Sequence, residues 1–81
     1  MGEWAVRGLR GATCAEANTR EAILEATAEL LQALFEANQL NPSDVASIIF
    51  SMTEDLNAAF PAEAARRMGL TTVPLLCVRE I

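Results

Sequence analysis

Histidine and lysine do not occur in this chain. Without histidine, neither a Ser-His nor a Cys-His nucleophile pair can be assembled within it. Cysteine occurs twice, as Cys14 and Cys77, with no CxxC and no His/Cys cluster, so the spacing offers no zinc site and no metal is expected. A disulfide between the two remains open, but a cytosolic setting keeps thiols reduced, and both read first as small hydrophobes. No apolar run has transmembrane length; the longest, around Ile48-Ile49-Phe50 and from Val73 to Val78, are strand length. The N-terminus lacks the basic and apolar regions of a signal peptide. These absences point to a soluble, cytoplasmic protein with no membrane partner. The net charge of −5 argues against a general nucleic-acid binder, which needs a basic stripe. All six basic residues are arginine, so any anion is recognised by planar forks rather than point charges. Compositional bias explains the missing lysine equally well.

What is present is apolar and short. Of the 81 residues, 52% are hydrophobic, which fits one globular domain over 1–81. A domain of this size buries only about 60% of its unfolded surface and is marginal alone. No internal repeat, linker or low-complexity segment divides it.

Residues 4–13 read as a first strand. Alternation puts Arg10 on a face with Val6 and Trp4, and Arg7 with Leu9 and Ala5. At least one guanidinium then lies beside large apolar groups, which is costly unless it is paired or faces a ligand. A helix follows from Asn18 or Thr19, with Asn18 and Glu21 spaced as a capping box. Ile23, Leu24, Thr27, Leu30, Leu31, Leu34 and Phe35 form one apolar stripe, with Glu21, Glu25, Glu29, Gln32 and Glu36 outside it. Asn38 is placed for a left-handed cap, and Pro42 bars continuation. Val45 to Met52 reads as a strand covered on both faces. Pro61 opens a second helix over 61–68, which Gly69 ends. Val73 to Ile81 is a last strand, with Pro74 at its start or on an edge. This order suggests a βαβ-like unit whose pairing direction is not legible.

Four places stand out for chemistry, each with a plainer reading beside it. Arg10 either pairs with Glu80 as a structural ion pair or meets an anion. Arg66, with Arg67, is a solvated helix face or a ligand contact. Phe60 is a staple for the short helix or a ring-packing group. Cys77 is core or pocket wall. Strand alternation puts Leu76, Val78 and Glu80 on one face and Cys77 and Arg79 on the other, so a bulge is needed to bring Cys77 and Glu80 to one site. From pattern alone, this is a small α/β domain suited to binding an anion.

Three stretches carry more. They are Val6-Arg7-Gly8-Leu9-Arg10-Gly11-Ala12-Thr13, Thr53-Glu54-Asp55-Leu56-Asn57-Ala58-Ala59-Phe60-Pro61-Ala62-Glu63-Ala64-Ala65-Arg66, and Val73-Pro74-Leu75-Leu76-Cys77-Val78-Arg79-Glu80. In this order and at these separations, they resemble the chorismate mutases of the small, monofunctional, trimeric α/β class, and not the all-helical class. The resemblance runs from Val6 to Glu80. It implies an α/β (α+β) fold: a mixed sheet with two helices on one face, forming a pseudo-α/β-barrel when trimeric. It implies an isomerase that converts chorismate to prephenate by a pericyclic [3,3] rearrangement, towards phenylalanine and tyrosine, with no cofactor. The substrate is a dianion, and negative charge grows on its ether oxygen, so catalysis means holding a compact conformer beside fixed positive charge.

The resemblance also implies roles. Arg10 binds a substrate carboxylate and Glu80 accepts a hydrogen bond from the ring hydroxyl. Cys77 lines the pocket near that hydroxyl, with Leu75 and Leu76 along the wall. Phe60 and Arg66 come from a neighbouring subunit of a homotrimer. Glu63 stands where some relatives carry lysine, and Leu76 where some carry a hydroxyl. In the family the chain continues past Glu80 to a second arginine and a tyrosine, and tyrosine is absent here. The chain therefore reads as a chorismate mutase polypeptide lacking its last third. Two readings from other classes stand beside it: a catalytically incompetent, trimer-forming or small-anion-binding module, and a ferredoxin-like regulatory domain, whose glycine-rich ligand loop is not evident.

Overall fold

The computed structural model describes residues 8–79. Among them run helix α1 (Arg20–Ala37), a single 3-10 turn (Pro42–Asp44), strand β1 (Ile48–Met52), helix α2 (Ala62–Arg67) and strand β2 (Leu75–Arg79). The fold is α/β: two helices and a small parallel sheet.

The apolar stripe becomes the buried face of α1. Ile23, Leu24, Thr27 and Leu31 are buried, Leu30, Leu34 and Phe35 half-buried, and the glutamates between them exposed. Thr27 donates its hydroxyl to the Ile23 carbonyl at 2.7 Å, which satisfies the one polar group on that face. The expected capping box is replaced. Thr19 is the N-cap, its hydroxyl accepting from the Ala22 amide at 3.2 Å. Asn18 turns elsewhere, because the free amides of a distant loop claim its side chain.

Both helices end in the same way. At α1, the amide of Leu40 donates to the Phe35 carbonyl and that of Gln39 to Glu36. At α2, Leu70 donates to Ala65 and Gly69 to Arg66. Each pair is a Schellman closure, which needs a left-handed residue just past the cap. Gly69 supplies it at φ 93°, and Gln39 at φ 52°. Asn38, expected in that role, instead has φ −112° and donates its side-chain amide to the Leu34 carbonyl.

The strands β1 and β2 pair in parallel, Ile48 beside Leu75 through Met52 beside Arg79. Parallel neighbours need a crossover, and α2 lies within it. Ala62, Ala64 and Ala65 are buried there. The core gathers Leu31, Ala65, Leu70 and Val73, with Phe35, Val45, Ile48, Phe50 and Leu75 packed against it. Both helices thus cover one face of the sheet.

Two expectations change. The segment read as a first strand forms none over residues 8–13, and Arg10 there is exposed. A strand needs a ladder partner, and the described ladder joins only β1 and β2. Gly11 instead rests on α1, where an added Cβ would meet Leu30 Cδ1 at 2.8 Å and Leu34 Cδ1 at 3.2 Å. Trp4, Val6 and Arg7 lie outside the described residues. The run Ile48-Ile49-Phe50 is covered on one face only, since Ile49 is 65% exposed.

The two closures give opposite predictions. Gln39→Gly removes a left-handed side chain and should stabilise by about 0.5–1 kcal/mol. Gly69→Ala should cost about 1–2 kcal/mol through backbone strain, because a Cβ at Gly69 meets nothing within 4 Å. Urea unfolding of both variants checks the signs.

Candidate active site

β1 runs into a loop over residues 53–60 that carries Phe60 to the start of α2. Its first turn is closed by Leu56 donating to the Thr53 carbonyl at 3.1 Å. Glu54 meets Arg79, at the end of β2, at 3.6 Å. Further along, the Asn18 side-chain oxygen accepts from the amides of Asn57 at 2.9 Å and Ala58 at 3.0 Å, while its nitrogen donates to Asn57 Oδ1 at 2.9 Å. The loop is therefore tied to the end of the other strand and to the entrance of α1.

The residues singled out from the sequence fall on these parts. Arg10 is exposed, one residue before the glycine seated on α1. Phe60 is 70% exposed, next to Pro61, the N-cap of α2. Arg66 is exposed in the last turn of α2. On β2, Leu75 and Cys77 are half-buried on the inner side, and Leu75 packs on the core. Leu76 is exposed on the opposite side, so alternation separates it from its neighbours. Glu80 lies outside the described residues, and with it the Arg10–Glu80 pairing and the bulge that would join Cys77 to Glu80. Among the described residues no side-chain hydrogen bond or ion pair links any two of these positions.

The arginines divide in an informative way. Arg20 and Arg67 both pair with Glu63, Arg67 at 3.0 Å across one helical turn. Arg79 pairs with Glu54. Arg10 and Arg66 have no carboxylate partner among the described residues. Among the described residues, guanidinium groups paired within the scaffold are thereby distinguished from two that are not. A hollow at the start of α1, lined by Cys14, Glu16, Ala22, Glu25, Ala26 and Glu29, holds none of the residues singled out. Its carboxylates would repel an anionic ligand. Among the described residues no group of three His, Cys, Asp or Glu side chains is placed to hold a metal ion, and no helix is long and apolar enough to cross a membrane.

Sequence reasoning missed the Asn18 clamp because the Asn18/Glu21 spacing also fits a capping box. The Glu63–Arg67 pair was legible from its spacing. The reach of Arg20 to Glu63 was not, since it depends on how α1 lies against α2.

The described residues thus form a crossover α/β unit in which two guanidinium groups have no carboxylate partner among those residues and one aromatic ring is exposed, a set of features that suits contact with an anion. Comparison with known proteins narrows this. The family model "Chorismate mutase type I" matches residues 6–81, and the chain belongs to that family. Over 77 residues, 94% of this chain, it is 53% identical to "Chorismate mutase AroH" of Thermus thermophilus and 44% identical to the Bacillus subtilis (strain 168) protein of the same name. It spans 63% and 61% of those relatives, less than two thirds of each. The solved structure "Chorismate mutase from Clostridium thermocellum Cth-682" superposes with a TM-score of 0.84 at 48% identity, covering 85% of this chain and 62% of that one.

The pairs around Glu63 are exposed, so they should contribute little. Glu63→Ala is expected to lower stability by less than about 1 kcal/mol, and by less still in high salt. Urea unfolding at two ionic strengths measures both.

Proposed function

We propose that the protein is a chorismate mutase, an isomerase that converts chorismate to prephenate on the route to phenylalanine and tyrosine. In this reading the 81 residues form one cytoplasmic domain that assembles as a homotrimer with sites shared between neighbouring subunits. Arg10 binds a substrate carboxylate, Glu80 accepts from the ring hydroxyl, and Cys77, Leu75 and Leu76 line the wall. Phe60 and Arg66 of the adjoining subunit pack on the ring and attract its carboxylate. No proton transfer, nucleophile or cofactor is required, which suits a chain without histidine. The work is electrostatic and conformational: Arg10 and Arg66 hold the carboxylates and so a compact conformer, while the guanidinium charge beside the breaking ether bond comes in the family from the second arginine, past Glu80.

The observation that carries this reading is the division of the arginines, in a chain that belongs to the chorismate mutase type I family. Glu63 and Glu54 occupy Arg20, Arg67 and Arg79, while no carboxylate among the described residues pairs with Arg10 or Arg66. The outward row Ile49, Leu76 and Val78 supports assembly, since three large apolar groups stand exposed on one sheet face.

A second reading is a binding or assembly module without turnover. The exposure of Arg10, Phe60, Arg66 and Leu76 in the single chain favours it, because electrostatic preorganisation needs a water-poor pocket.

Loss of chorismate absorbance with the unaltered chain, and with Arg10→Ala, separates the two. Turnover that falls about 100-fold or more in the variant, at an unchanged circular dichroism spectrum, supports the mutase. An undiminished rate removes Arg10 from the site. If the unaltered chain leaves chorismate intact yet binds a bicyclic dicarboxylate analogue of the transition state by calorimetry, the module reading stands. Sedimentation velocity tests the trimer.

A further inference from the structure

We propose that Asn18 is a positioning residue of the substrate site, holding the loop that presents Phe60; this rests on the mutase reading above. One side-chain amide makes three bonds to a loop 39 and 40 residues away in sequence: the Asn57 and Ala58 amides donate to its oxygen, and its nitrogen donates to Asn57 Oδ1. Both lone pairs of the oxygen are thereby used. The ordinary role for an asparagine here, capping α1, is already filled by Thr19. Asn18 is therefore not needed to start the helix.

The loop needs such a tie. Between Leu56 and Pro61 it belongs to no helix or strand, and it must set the direction of a ring that is 70% exposed. The ion pair Glu54–Arg79 fixes only its beginning, and both partners are largely solvated. The Asn18 bonds fall two and three residues before Phe60. Asn18 also follows the segment that carries Arg10 and is seated on α1 through Gly11. One amide thus joins the stretch bearing the proposed carboxylate-binding arginine to the stretch bearing the proposed ring-packing aromatic.

The test compares Asn18→Ala and Asn18→Asp with the unaltered chain, reading kcat and KM for chorismate together with amide exchange at Asn57 and Ala58. Aspartate keeps the two acceptor bonds, and the Asn57 side chain can rotate to donate. Asn18→Ala should lose protection at both amides and raise KM about 3- to 10-fold, with α1 amides still protected by the Thr19 cap. Asn18→Asp should restore protection and return KM to within about twofold of the unaltered value. A merely structural role would lower the unfolding midpoint of Asn18→Ala and leave KM unchanged, which overturns the proposal. Asn18→Asp as defective as Asn18→Ala overturns it too. If the unaltered chain does not turn over chorismate, the mutase reading falls and this inference with it; an active unaltered chain with an unmoved KM in Asn18→Ala sinks the clamp alone.

Discussion

The parallel pairing of β1 with β2 is the constraint from which the other features follow. Two parallel strands cannot be joined by a tight turn, so the chain must cross over and return. Here the crossover helix has only six residues, too few to persist on its own. It survives because Ala62, Ala64 and Ala65 let it sit close against α1 and the sheet, Ala65 with no exposed surface at all. Larger side chains at these positions would overpack a contact that is already closed. Phe60 at one end of this helix and Arg66 at the other take their positions from that packing.

The same pairing leaves the sheet with two unlike faces. Ile48, Phe50 and Leu75 turn inward onto the core, while Ile49 stands beside Leu76 and Ser51 beside Val78 on the open side. An apolar row of this kind suits association with further chain, whether a subunit or another segment. Alternation also sets a limit on the site. Leu75 and Cys77 share one side of β2 and Leu76 the other, so a wall that used all three would have to meet the strand along its edge or at its end.

Much of this was legible from residue order, for identifiable reasons. The stripe from Ile23 to Phe35 predicted α1 because a buried helix face must repeat every three or four residues. Pro61 and Gly69 bracketed α2 because each has a backbone preference that the helix ends require. Over residues 8–13 the expected strand is not formed, because a strand is defined by a partner and alternation alone cannot show whether one exists. The covering of Ile48-Ile49-Phe50 failed similarly: an apolar run reports a tendency to be buried, not what is available to bury it. Among the proposed site residues, Arg10 and Arg66 could be named from the motifs they sit in. That the remaining described arginines are held by Glu63 and Glu54 required three-dimensional proximity. So did Asn18, whose partners lie across 39 and 40 residues.

Under the proposed function an acidic protein would host a dianion, and local pairing matters more there than net charge. The glutamates at 21, 25, 29 and 36 stand along the exposed face of α1. Exposed charges more than about 8–10 Å apart are largely screened at physiological salt, so a net charge says little about a local contact. What matters is whether a guanidinium already has a carboxylate beside it. Glu63 occupies two cations and so keeps Arg20 and Arg67 from forming a diffuse positive surface. Among the described residues no carboxylate takes up the bidentate capacity of Arg10 or Arg66. In the proposed assembly, where one subunit supplies Arg10 and its neighbour Arg66, such a division suits a ligand with two separated carboxylates better than one with a single charge.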